Sequence, residues 1–428
     1  MNIRDLPHKQ AGRYIAAFKE LQPYRQLLIK VGGGLLEDKV AVQELAEALT
    51  ELAAEDIHTI LVHGGGSQLS AALERYNVKP RFIDGKRHTD EATLKLARTT
   101  FESISDELFQ TFQEAGIKTV VIPSVELFTA RRDPKLGLVG GEINAIETDK
   151  IVDNMQQHHL MIINSLARDE DTGQTLNVNA DTVFRALATE LKPHRMTSLT
   201  PTGGVLQAID DGDVQTLISG IDIRDIDTLI KDGTVSGGMA LKLQELANIL
   251  EGLEIGSAIS ITKPSELLPE LLTDEGSGTF VGKGPKIITA DGLADVLPEL
   301  TGLIKEVFGK SLPDDYEKQP VEKIYFTADH LAFGIVTKLK DGTPYLDKLA
   351  VSPQVQGRGI GQNLWYRIAR DYPAIVWRSH IDNRYATWYH RHADIMKRRG
   401  EWILFGRGLE FSKLESLQDE LTGIPQMR

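Results

Sequence analysis

Lys30 lies near the end of the apolar run Leu27–Val31, just ahead of Gly32, Gly33 and Gly34. Glycines at the C-terminal end of a strand let backbone amides turn toward an anion with no Cβ in the way, and the lysine adds a point charge. This is phosphate-handling hardware, although the spacing of a Walker loop is missing. A second glycine cradle, His63-Gly64-Gly65-Gly66, follows the run Thr59–Val62. One glycine loop is most often a turn; two at neighbouring strand ends, with a lysine, point to a sheet edge that holds two anionic ligands.

Three further stretches could take part. Asn177-Val178-Asn179-Ala180-Asp181 precedes an amphipathic helix, Ser236–Lys242 opens another, and Phe82–Arg87 puts a cation after a turn. Phosphoryl transfer between two anions needs positive charge on both sides and along the line of transfer. Lys30 and Lys242 can bracket the donor and the moving group, Asp181 can orient them, and Arg87 suits bidentate grip of a carboxylate. Each alone has a plainer reading: a solvated lysine, a helix N-terminal charge, a surface ion pair. Their joint occurrence is what favours chemistry.

The last third carries a different constellation. The strand-like Tyr345–Val351 leads through Ser352-Pro353 to Gln356-Gly357-Arg358-Gly359-Ile360-Gly361, which opens a helix over Gln362–Arg370. Consecutive amides at a helix N-terminus form a pyrophosphate site, although glycines that merely cap a strand-to-helix turn look alike.

The elements that must position these groups alternate. Strands are expected at Leu27–Val31, Thr59–Val62, Thr119–Ile122, Met161–Asn164, Met196–Leu199 and Ser257–Ile261, with helices such as Val40–Ala54, Ala92–Phe112 and Gly238–Leu250 between them. The fold class is therefore α/β, a mostly parallel sheet covered on both faces, with ligands beyond the C-terminal strand ends. Leu136–Ile151 reads as an inserted hairpin, and the glycine-rich stretch Gly276–Pro285 as a domain boundary. Ala11–Leu21 has helical apolar spacing and either covers its own domain or docks on a partner subunit. Past the boundary a helix over Leu293–Phe308 is followed by strands near Lys323–Thr327, Ala332–Thr337 and Tyr345–Val351, then Ile375–Ser379 and Glu401–Gly408.

Composition bounds the rest. The 428 residues, 41% hydrophobic and 25% charged, suit two or three globular domains. A net charge of −13 argues against nucleic acid or an anionic membrane as the main partner. The chain has no cysteine, which excludes disulfides, thiolate nucleophiles and cysteine-ligated metals. No apolar run approaches the about 18 residues of a membrane span, and Met1–Pro7 has no signal core, so a cytoplasmic enzyme is expected.

The first two-thirds resembles the amino acid kinase family, and within it the N-acetylglutamate kinases. The pieces in common are Leu28–Gly33, His63–Gly66, Gly85-Lys86-Arg87, Asn177–Asp181 and Gly238–Lys242, in the family's order. The resemblance implies Mg2+-ATP as donor, with Lys30, Gly32, Gly33 and Lys242 at the nucleotide and the transferring phosphoryl. It implies that Asp181 positions the lysines and that Gly65, Gly66, Arg87 and Asn177 hold N-acetylglutamate. Glu270–Thr279 is similar to the run found in arginine-sensitive members, which implies L-arginine as an effector held by Glu270 and Gly278; the preceding strand, Ser257–Thr262, lacks the histidine-containing segment of that group.

The last third resembles the GNAT acetyltransferases, an α+β fold, and specifically N-acetylglutamate synthase domains of the vertebrate type. Asp347-Lys348, Trp377-Arg378-Ser379, Asn383 and Trp388-Tyr389 follow their order. This implies acetyl-CoA with its pyrophosphate on Gln356, Gly357, Arg358, Gly359, Ile360 and Gly361 and its pantetheine along Leu349–Val351. It implies L-glutamate held by Lys348, Arg378, Asn383 and Arg407, with Lys348 and Tyr389 catalytic and Tyr389 either the proton donor to the CoA thiolate or a residue that orders the site. No protein-held metal is expected. Together the resemblances imply a kinase domain over 1–283, a GNAT domain over 284–428, two consecutive steps of arginine biosynthesis, and a homo-oligomer, a tetramer. The alternative is a synthase whose kinase domain is only an arginine-binding regulatory module.

Overall fold

The computed structural model describes residues 2–83, 86–209, 214–293, 296–313, 316, 320–355, 359–383 and 385–425. They form two compact units, 1–217 with 229–253 and 259–279, and 218–228 with 254–258 and 280–428.

In the first unit six parallel strands run in the order Ala258–Thr262, Arg195–Leu199, Leu27–Val31, Thr59–His63, Leu160–Ile163, Thr119–Val121. All five residues of Leu27–Val31 and of Thr59–His63 are buried, as for strands covered on both faces. Each expected strand of this sheet is present within two residues at either end, and the helices Lys39–Ala54, Glu91–Glu114 and Gly237–Glu251 lie where the apolar spacing put them.

The stretch Leu136–Ile151 is organised differently from the expectation. Its first part is one arm of an antiparallel pair, Phe128–Arg132 with Val139–Ile146, inside a closed four-stranded barrel completed by Leu166–Asp169 and Thr175–Val178. Its last part belongs to the helix Thr148–Met155. The turn falls earlier than expected, where Asp133-Pro134 and Gly137 at φ +80° reverse the chain.

The N-terminal helix, His8–Lys19, covers its own unit. Ala11, Tyr14, Ile15 and Phe18 are buried in one cluster with Leu267, Leu268, Leu271 and Leu272. Its polar face holds the loop beyond them: Arg13 forms an ion pair with Asp274, Tyr14 Oη donates to Asp274 Oδ1 at 2.9 Å, and Gln10 Oε1 accepts from the Asp274 amide at 3.1 Å.

The second unit has a seven-stranded sheet ordered Ile287–Ala290, Val321–Thr327, Ala332–Lys338, Pro344–Val351, Ile375–His380, Trp402–Arg407, Ile395–Arg399. Neighbours are antiparallel except Pro344–Val351 with Ile375–His380. Helix Leu297–Phe308 packs on Phe333, Ile335 and Ala350, whereas Ile360–Asp371 packs on Val336, Leu346 and Trp377, so the two helices use alternate side chains of the same strands. Gly220–Asp222 pairs in parallel with Phe280–Gly282, and Arg370 bonds Asp225 at 2.8 Å, which groups 218–228 with this unit. The edge strand Ile395–Arg399 and the helices Ala386–His392 and Phe411–Gly423 went unread in the sequence. The strand is short and mostly cationic, a composition suited to an exposed edge but poor in strand signal.

Candidate active sites

The C-terminal end of the Leu27–Val31 strand brings the first set of side chains together. Lys30 is buried and forms a close ion pair with Asp181. Asp181 stands in the first turn of Ala180–Leu191, whose N-cap Asn179 accepts from the Asp181 amide at 3.0 Å. Lys242, half-buried near the start of Gly237–Glu251, is drawn down to about 8 by burial and by the nearby Lys30, against the pull of Asp181 and Glu245. Glu245 is in turn raised, by burial and then by Asp181. Four charges therefore share one neighbourhood, with two ammonium groups held close only because carboxylates compensate them. Such a pair is ready for an incoming anion, which removes their mutual repulsion.

The two glycine loops are tied to each other. Gln68 Nε2 donates to the Gly33 carbonyl at 2.8 Å. A Cβ on Gly65 would lie 2.7 Å from Phe101 and 2.8 Å from Ile104, so only glycine lets the loop pass this close to helix Glu91–Glu114. Beneath it His63 is buried between the Gly64 carbonyl and Ser105 Oγ, and burial pulls it down to about 4, so it stays neutral.

Arg87 donates to Ser70 Oγ at 2.7 Å and to the Gly66 carbonyl at 3.3 Å, and its Nη1 is buried with no partner among the described residues. Asn177 Nδ2 donates to Thr89 Oγ1 at 3.1 Å, two residues beyond Arg87. Gly66 and Arg87 thus meet, and Asn177 is tied to the same segment two residues on. Gly85 lies outside the described residues.

If Lys242 stabilises transferred charge, as the sequence leads us to expect, it must keep its proton, and activity should fall as pH rises through its titration. We expect kcat/KM for ATP, which reports the free enzyme, to decline with a midpoint near pH 8. A flat profile to pH 9.5 in initial-rate assays would contradict this environment.

In the second unit Pro344–Val351 pairs with Ala332–Lys338 along its length but with Ile375–His380 only at Tyr345↔Val376 and Leu346↔Trp377. Asp347 falls at the break in register, just past the last residue pair with Ile375–His380. Gly359, in the left-handed region at φ +69°, caps helix Ile360–Asp371, with Gly361 next to Val351. Gln356, Gly357 and Arg358 lie outside the described residues.

Lys348 Nζ bonds Asp347 Oδ1 at 2.7 Å, and Asp347 Oδ2 accepts from Tyr316 at 2.6 Å. Asn383 accepts from the Tyr385 amide at 3.0 Å and donates to Ser379 Oγ at 2.7 Å, which shapes the turn into helix Ala386–His392. Tyr389 sits among Trp377, Trp388 and Phe405, and burial pushes its phenol up to about 12. Arg407 is half-buried on the neighbouring strand.

Arg378, expected to hold glutamate, is engaged within the chain. Its Nη1 donates to the carbonyls of Leu421 and Thr422 at 2.7 and 3.2 Å and its Nη2 to those of Ile424 and Pro425 at 2.6 and 3.4 Å, with the plane stacked 3.9 Å from Trp402. The carbonyls lie in the last turn of helix Phe411–Gly423 and just past it, where a cation is favoured, and the guanidinium also interacts with the Tyr345 hydroxyl.

The loop expected to take arginine is built around Glu270. This buried carboxylate accepts from the Ser277 and Gly278 amides through Oε2, both at 2.7 Å, so Glu270 and Gly278 are adjacent.

The sequence profile of the amino acid kinase family matches residues 25–259. The chain belongs to the amino acid kinase family. Residues 289–424 match the N-acetyltransferase of N-acetylglutamate synthase. Acetylglutamate kinase of Xylella fastidiosa is 32% identical over 405 residues, covering 94% of each chain. The mitochondrial protein arg-6 of Neurospora crassa is 29% identical over 418 residues, covering 94% of this chain and 46% of its own length. The crystal structure of Neisseria gonorrhoeae N-acetylglutamate synthase, complexed with coenzyme A and N-acetyl-glutamate, superposes with a TM-score of 0.58 at 17% identity, covering 99% of this chain and 98% of that one. The same enzyme with coenzyme A and L-arginine gives 0.55 at 18% identity, covering 96% of each. At these identities the likeness is one of fold. No helix among the described residues is long and apolar enough to cross a membrane.

In this amino acid kinase three residues at the first site escaped sequence reading. Gln68 and Ser70 carry no signal of their own. Glu245 lies three residues after Lys242, a spacing that puts both on one helix face, but an exposed helical glutamate is too common to single out.

Proposed function

We propose that this amino acid kinase is a bifunctional enzyme of arginine biosynthesis, with its kinase domain over 1–283 and its acetyltransferase domain over 284–428. The acetyltransferase converts L-glutamate and acetyl-CoA to N-acetylglutamate, and the kinase phosphorylates that product with ATP. The observation that carries the reading is the charge cluster of Lys30, Asp181 and Lys242 beside the paired glycine loops.

In the kinase, Gly65, Gly66, Arg87 and Asn177 hold N-acetylglutamate so that a side-chain carboxylate oxygen attacks the γ-phosphorus and ADP leaves. Gly32, Gly33, Lys30 and Lys242 hold the phosphates, and the lysines follow the charge as it moves to the leaving oxygen. An ionised acceptor carboxylate needs no base, which leaves Asp181 to fix Lys30. Mg2+ would arrive on the nucleotide, where phosphates supply most of its ligands and no all-protein cage is required.

In the acetyltransferase, the pantetheine runs along the strand at Leu349 and Val351, and the pyrophosphate rests on the turn at Gly359, Ile360 and Gly361, with Gln356, Gly357 and Arg358 completing it. Lys348, Asn383 and Arg407 bind glutamate. Its neutral amine attacks the thioester carbon, the C–N bond forms as the C–S bond breaks, Tyr389 protonates the departing thiolate, and the proton shed by the new amide nitrogen returns to Tyr389 through water. The test pairs two assays on the full chain: CoA release with glutamate and acetyl-CoA, and ADP release with N-acetylglutamate and ATP. Both are expected; ADP release at the level of a Lys30→Met control would remove the kinase half.

L-Arginine would bind at Glu270 and Gly278, and the protein would work as a homo-oligomer, a tetramer. Thermal unfolding should shift upward with L-arginine in the wild type and lose that shift in Glu270→Ala; no shift in the wild type would refute an effector site there.

A further inference from the structure

We propose that Asp56, His58 and His159 form a binding site for a divalent transition-metal ion of the zinc class, at the end of the central sheet away from the kinase site. Strand register creates the pairing. Thr59 aligns with Leu160, so the residues before them, His58 and His159, enter two adjacent parallel strands side by side. Their rings are 4.8 Å apart between centroids.

Asp56 completes the set from the turn after helix Lys39–Ala54. It is in the left-handed region at φ +61°, where a helix end ordinarily uses glycine or asparagine. An aspartate kept there puts a carboxylate between the two rings. His58 Nε2 and His159 Nε2 stand 3.3 and 3.4 Å from its Oδ1, and the three donor atoms lie within 4.8 Å of one another. Those separations are long for N–H···O hydrogen bonds, which centre near about 2.9 Å. The two edges that meet at Asp56 match those of a tetrahedron around zinc, about 3.3–3.4 Å for bonds of about 2.0–2.1 Å.

The outer contacts also suit a metal. His58 Nδ1 donates to the His158 carbonyl at 2.8 Å, which orients the ring with Nε2 toward Asp56. The His158 ring is turned to the Asn154 carbonyl and takes no part. His58 is buried, while Asp56 is exposed and His159 half-exposed, so an ion and one water could reach the fourth position. Lys118, whose carbonyl accepts from the His159 amide, is the cation working against the site. Two imidazoles and one carboxylate favour Zn2+ over Mg2+ or Ca2+, which prefer oxygen.

The test is a competition titration of Zn2+ between the metal-stripped full chain and a chromophoric chelator. One tight Zn2+ per chain is expected in the wild type. Changing an outer-shell partner alone costs about 10–100-fold in metal affinity, so Asp56→Asn and His159→Ala should each weaken binding by about 100-fold or more. Both changes are on accessible side chains, and asparagine tolerates the left-handed backbone, so thermal unfolding of the metal-free variants should stay within a few degrees of wild type. Co2+ should give a tetrahedral visible spectrum that both variants lose. Wild-type zinc affinity no greater than that of the double variant, or an octahedral Co2+ spectrum, would overturn the site.

Discussion

Lys242→Ala is expected to slow ADP release by about 10²–10³-fold while CoA release stays at the wild-type rate. The lower bound comes from the effect of deleting one preorganised donor to developing charge in a dry site. The upper bound reflects that Lys242 is already held in a costly state, half-buried and next to Lys30, so no neighbour replaces it. The loss should fall on kcat more than on KM, because an interaction that strengthens along the reaction coordinate is felt at the transition state. Lys242→Arg should recover little, since a planar guanidinium cannot replace a compact ammonium beside Lys30. Equal loss in both assays would mean that the change had damaged the whole chain, and an unaltered ADP rate would leave the kinase proposal without its main cation.

Tyr389→Phe should produce the reciprocal pattern, with CoA release reduced by about 10²–10⁴-fold, the range for one positioned proton donor, and ADP release unchanged. Burial among Trp377, Trp388 and Phe405 raises the phenol to about 12 and keeps it protonated across the working pH range, which suits a donor to a departing thiolate. The substitution removes one oxygen and preserves the ring, so the aromatic cluster should survive. Unchanged CoA release would assign Tyr389 to packing alone.

Much of the first site was legible because its signals are local. A lysine before a glycine run marks a strand end suited to a phosphate, and Asp181 and Lys242 each sit a fixed distance into a helix whose start the sequence announces. Long-range partners were not. The carbonyls that capture Arg378 lie 43 to 47 residues away, and no local pattern foretells which end of which helix an arginine will reach. The same holds for 218–228, which read as part of the first unit until the pairing of Gly220–Asp222 with Phe280–Gly282 was visible. His58 and His159 are a hundred residues apart and meet only through strand register.

The grip of one guanidinium on the end of the final helix has a mechanical consequence. Arg378 is next to Ser379, which positions Asn383 and hence the turn toward Tyr389. Deleting residues 411–425 would do more than shorten the polypeptide. It would strand a half-buried cation, loosen the strand that carries it, and make acetyl transfer sensitive to how the last helix is seated, with phosphorylation a bystander.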